Sequence, residues 1–408
     1  MPEKKNNPGL FYGWFIVCAC FAVMLTQGGS MWTFGVFLKP IFREFSWSRA
    51  QVSSGYSAFL IGYVISVITT GKLADRYSPG PILLVSAVLI GIGISLCSRA
   101  HTVNQLRMFL FIGGLGGGAN WSVPISTVQR SFFTKKRAGL ALGIVVSGVG
   151  VGAFFFALLA NYLVSNHGWR HAYLIIGILF FVIMAASSFV VKVDPVETDT
   201  LSDGSRAAPN QLSIQRRSTR EVLMTSSFLV ITICNCVAVA AFQTIVAHLV
   251  PYATDIGISS TASAAAIGLM GGFSIPGRII GGHLSEKIQW KMILVFSHLG
   301  MGLFILLLLF LQATWMLYCF VLFYGFCHGS RVSAYLGILG DFFGMSSLGE
   351  LIGITMAAGI FTGAFAPYLA GFLFDITGSY IIVFMIMMVL LLGGGIVASV
   401  ITKPDPAQ

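Results

Sequence analysis

The sequence predicts an all-α membrane protein of twelve transmembrane helices in two six-helix halves, on three observations. Hydrophobic residues make up 56% and charged residues 9% of the 408 residues, whereas soluble chains carry about 25% charged residues. Uncharged apolar runs long enough to cross a bilayer recur along the chain. One polar segment, 193–221, divides these runs six and six, and we expect a flexible cytoplasmic linker there.

The halves are therefore expected at 1–192 and 222–408. The motif Ser48-x-x-Gln51 predicts the start of the second span, and Ser347-x-x-Glu350 that of the eleventh, because each can form a capping box. The twelve spans are expected at 12–38, 50–74, 80–99, 104–130, 138–164, 171–192, 222–250, 260–285, 291–311, 314–341, 348–374 and 379–402.

Basic residues indicate the orientation of the chain in the membrane. They collect in alternate loops and near the N-terminus, and such loops face the cytoplasm. We therefore expect a multi-pass protein of the cell (inner) membrane with both termini in the cytoplasm, and we attribute the net charge of +10 to these loops rather than to nucleic-acid binding. Three basic residues after the first span are an exception: Lys39, Arg43 and Arg49.

The two halves share a short motif. Gly71-Lys72-Leu73-Ala74-Asp75-Arg76 closes the second span, and Gly282-His283-Leu284-Ser285-Glu286-Lys287 closes the eighth, at an offset of 211 residues (282 − 71). Equivalent positions in two halves indicate parallel internal repeats. We expect the acidic and basic residues at these helix ends to lock one state of a rocking cycle. The proposed switch residues are Gly71, Asp75, Arg76, Glu286 and Lys287.

Arg278 is the principal candidate for a binding residue. It lies eight residues before Glu286, about 12 Å along a helix, in a bilayer whose hydrocarbon half-thickness is about 15 Å. A guanidinium near the midplane stays charged and is costly against lipid. We therefore expect it to face a polar cavity and bind an anion; the alternative is a buried carboxylate partner, and the spans contain almost none.

The chain resembles the major facilitator superfamily, and within it the monocarboxylate transporter family and its bacterial oxalate/formate antiporter relatives. Segments 12–14, 34–40 and 45–49 resemble the first family signature, and 132–141 resembles the second. Gly277-Arg278 followed by Ser285-Glu286 resembles the span that carries the substrate-binding arginine. The resemblance covers the whole chain and implies a carrier of small organic anions.

Three positions depart from that pattern. Ser274 stands where animal relatives have an aspartate, and Trp32 where they have a lysine. Gly359 stands where the oxalate antiporter has a second cation. The usual proton-carrying pair and the usual dicarboxylate clamp are both missing, which favours one carboxylate per substrate.

Spans 1, 4, 7 and 10 line the central cavity in this superfamily, which suggests further site residues. Arg331 in span 10 and its repeat mate Asn120 in span 4 are expected to face each other, with Tyr335 on the same face as Arg331. The alternatives are an Arg331 bonded to backbone carbonyls near Gly329 and a Tyr335 that only packs. His248 is a proton-coupling candidate because histidine titrates near neutral pH; His328 is a second, and either could be without such a role.

These residues predict a secondary transporter of small monocarboxylates of the L-lactate or pyruvate class, coupled to a proton, with an oxalate/formate-type exchanger as the alternative. A receptor or membrane scaffold on the same fold is a further possibility. No nucleophile–base pair, metal set or phosphate loop is found, so we expect no enzyme activity, cofactor or metal. The seven cysteines are expected to be reduced.

Overall fold

The computed structural model describes residues 8–74, 77–130, 135–191, 219–285, 287–343 and 348–403. These residues form fifteen α-helices and one 3-10 helix, and no strand occurs among them. The α-helices are α1 (Pro8–Trp32), α2 (Phe34–Phe45), α3 (Arg49–Ala74), α4 (Pro79–Leu96), α5 (Val103–Gly117), α6 (Ala119–Arg130), α7 (Lys135–Val190), α8 (Thr219–Leu223), α9 (Ser226–Asp255), α10 (Ser260–Leu284), α11 (Trp290–Phe304), α12 (Leu306–Leu309), α13 (Thr314–Phe343), α14 (Leu348–Thr377) and α15 (Ile381–Ser399).

The helix order accommodates the twelve predicted spans. Within the described ranges, nine helical segments are long and apolar enough to cross a membrane, and one of them, Ala141–Val190, covers spans 5 and 6. Helices α5 with α6, and α13, coincide with spans 4 and 10. The predicted all-α membrane fold is confirmed.

The predicted end of span 1 was wrong. Span 1 was expected to end near residue 38, but a break at Thr33 is followed by a second helix that continues to Phe45. The predicted boundary between spans 5 and 6 agrees with the structure: the helical element turns at Gly168, whose φ of 79° is a left-handed conformation that favours glycine. The capping box at Ser48 and Gln51 is present: each backbone amide bonds the other's side chain. The one expected at Ser347 lies outside the described residues.

Helices α1–α7 and α9–α15 form two groups, called here the N-group and the C-group. Within the N-group, α1 and α4 pack on α7, and α3 packs on α5; within the C-group, α10 packs on α13, and α11 on α15. The groups meet where α3 contacts α14, α7 contacts α10 and α2 contacts α9.

Large apolar side chains are exposed along the outside of the helices. Phe189 and Val389, for example, are 68% and 64% exposed. Lipid, unlike water, solvates such a surface without cost, and helices satisfy their own backbone hydrogen bonds there. The chain is a multi-pass membrane protein.

Candidate functional site

Close packing of α10 on α13 positions the two arginines. A Cβ atom added at Gly277 would lie 2.1 Å from the carbonyl oxygen of Phe326, and one at Gly329 would lie 2.0 Å from that of Ser274. The Ser333 hydroxyl donates to the backbone carbonyl of Arg278 at 3.0 Å. Only glycine permits this approach of two backbones, and it brings Arg278 of α10 beside the segment of α13 that carries Arg331.

Arg278 has no hydrogen-bond or ion-pair partner for its side chain among the described residues. Its Nε atom is buried without a partner, and the side chain is half-buried. The sequence left open the alternative that Arg278 pairs with a buried carboxylate, and no such carboxylate lies beside it in the described part of the chain. Such a guanidinium is available to an anion.

Arg331 is almost fully buried, at 3% exposure. Its Nη1 atom donates to Oδ1 of Asn235 on α9 at 2.8 Å, and its Nε atom has no partner. The Asn235 side chain in turn donates to the backbone carbonyl of Thr355 on α14 at 3.0 Å. The helix–helix bond considered from the sequence therefore exists, but it runs to an asparagine side chain and not to the carbonyls near Gly329. Part of the Arg331 donor set stays unused.

Tyr335 takes part in the same C-group network. Its hydroxyl bonds the Thr355 hydroxyl and donates to the Ile352 carbonyl at 3.3 Å. Tyr335 thus ties α13 to α14. Its role in substrate binding stays a prediction.

Asn120 is fully buried on α6. Its Nδ2 atom donates to the Thr26 hydroxyl on α1 at 3.1 Å, and its Oδ1 atom has no partner among the described residues. The bond that the structure gives Asn120 is therefore within the N-group and not to Arg331, its predicted partner across the cavity.

The rings of Trp32, Phe242 and His328 form an aromatic layer between the arginines and one end of the bundle. The ring of Phe242 on α9 stacks on His328 with centroids 3.9 Å apart, and Trp32 of α1 meets Phe242 edge-on at 5.0 Å. His328 and Arg331 interact electrostatically, as do His328 and Arg278. These five side chains therefore form one cluster that spans both groups.

A second polar cluster, which the sequence did not predict, joins the N-group to the C-group on the far side of this aromatic layer. Arg49 of α3 donates to Asp255 at 2.7 Å and to the Tyr380 hydroxyl at 2.8 Å, and Lys39 pairs with Asp255 at 2.7 Å. The carboxylate of Asp375 accepts two backbone N–H groups at the start of α3, each at 2.9 Å. We call this the Arg49 end of the bundle.

His248 belongs to the Arg49 end. Its Nε2 atom bonds the Pro367 carbonyl at 2.8 Å, and its Nδ1 atom bonds the Tyr380 hydroxyl at 2.9 Å. Because a carbonyl can only accept, Nε2 carries the proton of a neutral ring and Nδ1 accepts. His248 lies 13 residues from Asn235, about 20 Å along α9, so it is far from Arg331, which Asn235 binds.

The opposite end of the bundle is called the Gly71 end. A Cβ atom added at Gly71, Gly143, Gly282 or Gly353 meets no atom of the described residues within 4 Å. These glycines lie on the four helices that make the main cross-group contacts, α3, α7, α10 and α14. The close contacts of those helices, such as Phe154 with Gly268, lie nearer the Arg49 end.

The predicted switch residues are only partly described. Gly71 and Lys287 lie at the Gly71 end, where Lys287 is exposed. Asp75, Arg76 and Glu286 lie outside the described residues. Their proposed role as a lock stays a prediction.

A cavity of about 600 Å³ lies at the Arg49 end and not at the arginine pair. Its lining includes Lys39, Asn161 and Thr254, and Lys39 is already paired with Asp255. The cavity therefore does not coincide with the predicted site. No group of three potential metal ligands occurs among the described residues, and the seven cysteines are free thiols.

Comparison with known proteins adds a family assignment. The family model described as Major Facilitator Superfamily matches residues 20–328. Monocarboxylate transporter 13 of Rattus norvegicus is 24% identical over 400 residues, covering 97% of this chain and 90% of the relative. Monocarboxylate transporter 2 of the same species is 28% identical over 412 residues, covering 97% and 84%. These relatives are transporters, which confirms the expectation that the chain is not an enzyme.

Solved structures show the same fold. A bacterial homologue of the human lysosomal transporter Spinster, in an inward-facing and occupied conformation, aligns with a TM-score of 0.73 at 15% identity, covering 97% of this chain and 99% of that one. Its unoccupied inward-facing form aligns with a TM-score of 0.71 at 16% identity. At such identity the likeness concerns the fold alone.

Proposed function

Because this chain belongs to the major facilitator superfamily and is a transporter, we propose that it is a secondary carrier of small monocarboxylates of the L-lactate or pyruvate class. The observation that carries the proposal is Arg278, whose side chain lies near the predicted midplane without a partner among the described residues. A guanidinium can meet a carboxylate through two parallel hydrogen bonds. The curated relatives, whose names refer to monocarboxylates, support this class of substrate.

The surroundings of Arg278 fit a small substrate with a short alkyl part. The rings of Trp32 and Phe242, which belong to the same cluster as Arg278, form its apolar surface. Arg331 already donates one hydrogen bond to Asn235, so Arg278 has more N–H groups available for a substrate. In this proposal Arg278 holds the carboxylate, and Asn120, Arg331 and Tyr335 contribute to the polar lining.

Transport would proceed by alternating access, with the halves 1–192 and 222–408 rocking around this site. The ion pairs at the Arg49 end and the free space at the Gly71 end correspond to one state of that cycle. With the orientation expected from the loop charges, the Gly71 end faces the cytoplasm.

A coupled proton would balance the charge of the anion. His248 is our candidate carrier, because its neutral ring already links Tyr380 to the Pro367 carbonyl. Protonation would place a second positive charge beside Arg49 and remove the acceptor for the Tyr380 hydroxyl. It would thereby weaken the contacts that hold the Arg49 end together.

Uptake of labelled L-lactate into proteoliposomes tests the proposal. We expect uptake to be driven by an inward proton gradient. It should be faster at outside pH 5–6 than at neutral pH, because the unperturbed pKa of histidine is about 6.5. His248→Ala should flatten this pH profile. Equal uptake with and without the gradient, together with stimulation by internal anion, would point to exchange instead. Absence of any uptake would favour a receptor or scaffold.

An oxalate/formate-type exchanger is the second candidate, favoured by one observation. Arg278 and Arg331 interact electrostatically, and neither has an ion-pair partner among the described residues. A dicarboxylate would neutralise both charges at once, whereas a monocarboxylate would neutralise one.

Substitution of Arg331 separates the two candidates. If Arg331 faces the substrate, oxalate should compete with labelled lactate, and Arg331→Gln should remove this competition while lactate binding persists. Glutamine retains a donor for Asn235, so the network to α9 can survive. If instead Arg331→Gln only lowers the thermal stability and leaves the order of preference intact, Arg331 is structural and the dicarboxylate candidate fails.

A further inference from the structure

Two buried amide oxygens of the N-group have no hydrogen-bond partner among the described residues: Oε1 of Gln27 on α1 and Oδ1 of Asn120 on α6. Gln27 is 2% exposed and Asn120 is fully buried. A buried acceptor without a donor destabilises the protein, so two such oxygens need an explanation. Thr26, the partner of Asn120, directly precedes Gln27, which places both amides in one small region.

Their hydrogen bonds fix which way these amides point. The Thr26 hydroxyl donates its hydrogen to the Val23 carbonyl at 2.7 Å, so toward Asn120 it can only accept. Asn120 must therefore present its NH2 group to Thr26 and leave its oxygen free. The NH2 group of Gln27 lies 2.8 Å from the sulfur of Met31, which is an acceptor only, and 3.0 Å from the Tyr63 hydroxyl.

The unpaired oxygen of Gln27 lies at the depth of the arginine pair. Trp32 and His328 both contact Phe242, so they mark one level of the bundle. Gln27 lies five residues before Trp32, about 7.5 Å toward the Gly71 end, and Arg331 lies three residues after His328, about 4.5 Å in the same direction. The two levels therefore differ by only about 3 Å.

The two sides of this level are chemically complementary. The C-group offers the Nε donors of Arg278 and Arg331, which have no partner among the described residues and suit a carboxylate. The N-group offers unpaired acceptors, which cannot bind a carboxylate and instead require a hydrogen-bond donor. A substrate that satisfies both sides carries a carboxylate at one end and an O–H group close to it.

We propose that Gln27 and Asn120 accept a hydrogen bond from a substrate hydroxyl, so that the carrier prefers 2-hydroxy monocarboxylates over their 2-oxo and unsubstituted analogues. This inference rests on the proposed function and adds a selectivity to it. A 2-oxo group has no hydrogen to donate and brings an acceptor toward two acceptor oxygens. An unsubstituted acid leaves the two amides as they are.

The expected size of the preference follows from hydrogen-bond energetics. A site built to bond a hydroxyl rejects the analogue that lacks it, because the buried protein group is then left unpaired. For one neutral hydrogen bond we expect a preference of roughly tenfold. The 2-oxo acid should bind no better than the unsubstituted acid.

Competition in proteoliposomes of the purified full chain tests this inference with three acids of one carbon skeleton: L-lactate, pyruvate and propionate. The wild-type carrier should bind lactate about tenfold more tightly than either of the others. Gln27→Leu should remove most of this preference. The melting temperature of the purified variant, compared with that of the wild type, reports that it is folded. Asn166→Leu, which changes an exposed amide bonded to its own helix, is the matched control.

The outcomes are distinguishable. A wild-type carrier that transports all three acids without preferring lactate overturns the inference, whatever the variants do, and indicates that water alone satisfies the two oxygens. A preference that survives in both Gln27→Leu and Asn120→Leu also overturns it, because other groups then recognise the hydroxyl. If no short monocarboxylate is transported at all, the proposed function itself fails.

Discussion

Arg278→Ala is expected to abolish carboxylate binding and transport while leaving a folded, membrane-inserted protein. In the wild-type structure the side chain has no partner among the described residues, and Arg331 repels it. Its removal therefore deletes no ion pair and relieves one repulsion, so we expect no loss of thermal stability. The loss of a charge-assisted, two-point bond should weaken binding by about 2 kcal/mol or more, at least roughly thirtyfold.

Arg278→Lys distinguishes charge from geometry at the same position. Lysine retains the positive charge but presents a single ammonium group and not a planar fork. We expect weak residual transport at most. If Arg278→Lys were fully active, the site would need only a cation, and the argument from bidentate geometry would fail.

Thermal-shift titration with the preferred acid, together with uptake, measures both effects. A ligand that binds the native state raises its stability by mass action, so Arg278→Ala should melt like the wild type without ligand and show no shift with it. Arg107→Ala is the matched control, because the bonds of Arg107 within the described residues run to Ser54 and Asn104 of the N-group. Near-normal binding in Arg278→Ala would make Arg331 the leading candidate, and failure to fold would assign Arg278 to a structural network.

The sequence was sufficient for the features that depend on local composition. Apolar runs determine where helices cross the membrane, so the fold class and most spans followed from them. Arg278 was found by its position, since a cation far inside an apolar run is costly wherever the neighbouring helices lie. The break at Thr33 was harder, because an apolar pattern continues through it.

The partners of the site residues could not be predicted, because they come from distant parts of the chain. Asn235, which binds Arg331, is a single asparagine in a span with no local signal. Gln27 is similar: its importance rests on an oxygen that remains unpaired after the helices have packed. Lys39 and Arg49 were noticed only as an exception to the charge rule for loops, since their partner Asp255 lies over 200 residues away.

Arg49→Ala is expected to open the Arg49 end and to reduce transport without reducing substrate affinity. Arg49 is 5% exposed and links the N-group to Asp255 and Tyr380 of the C-group, with its guanidinium carbon 3.7 Å from the ring centroid of Phe374. Breaking a buried charge pair costs about 3–5 kcal/mol. Since Asp255 is 31% exposed and keeps Lys39 as a partner, we expect a smaller effect, about 2 kcal/mol.

A loss of that size changes the ratio of the two states by roughly thirtyfold, because the pair exists only while the Arg49 end is closed. A carrier must visit both states at similar frequency to turn over, so a strong bias toward opening at this end slows the cycle. Arg278 and Arg331 lie on the other side of the Trp32–Phe242–His328 aromatic layer from Arg49. Affinity for the acid should therefore stay within about threefold of the wild type, as expected for a distant site.

Alkylation of an introduced thiol measures the opening directly. Ser53 is fully buried at the Arg49 end, 3.4 Å from His248, so Ser53→Cys should resist a membrane-impermeant maleimide in the wild-type background. In the Arg49→Ala background it should react at least tenfold faster, with mass spectrometry separating it from the seven native cysteines. Arg170→Ala is the control, because Arg170 pairs with Glu44 inside the N-group. Equal protection of the thiol in both backgrounds, with transport still lost, would mean that Arg49 acts on the substrate path and does not hold this end closed.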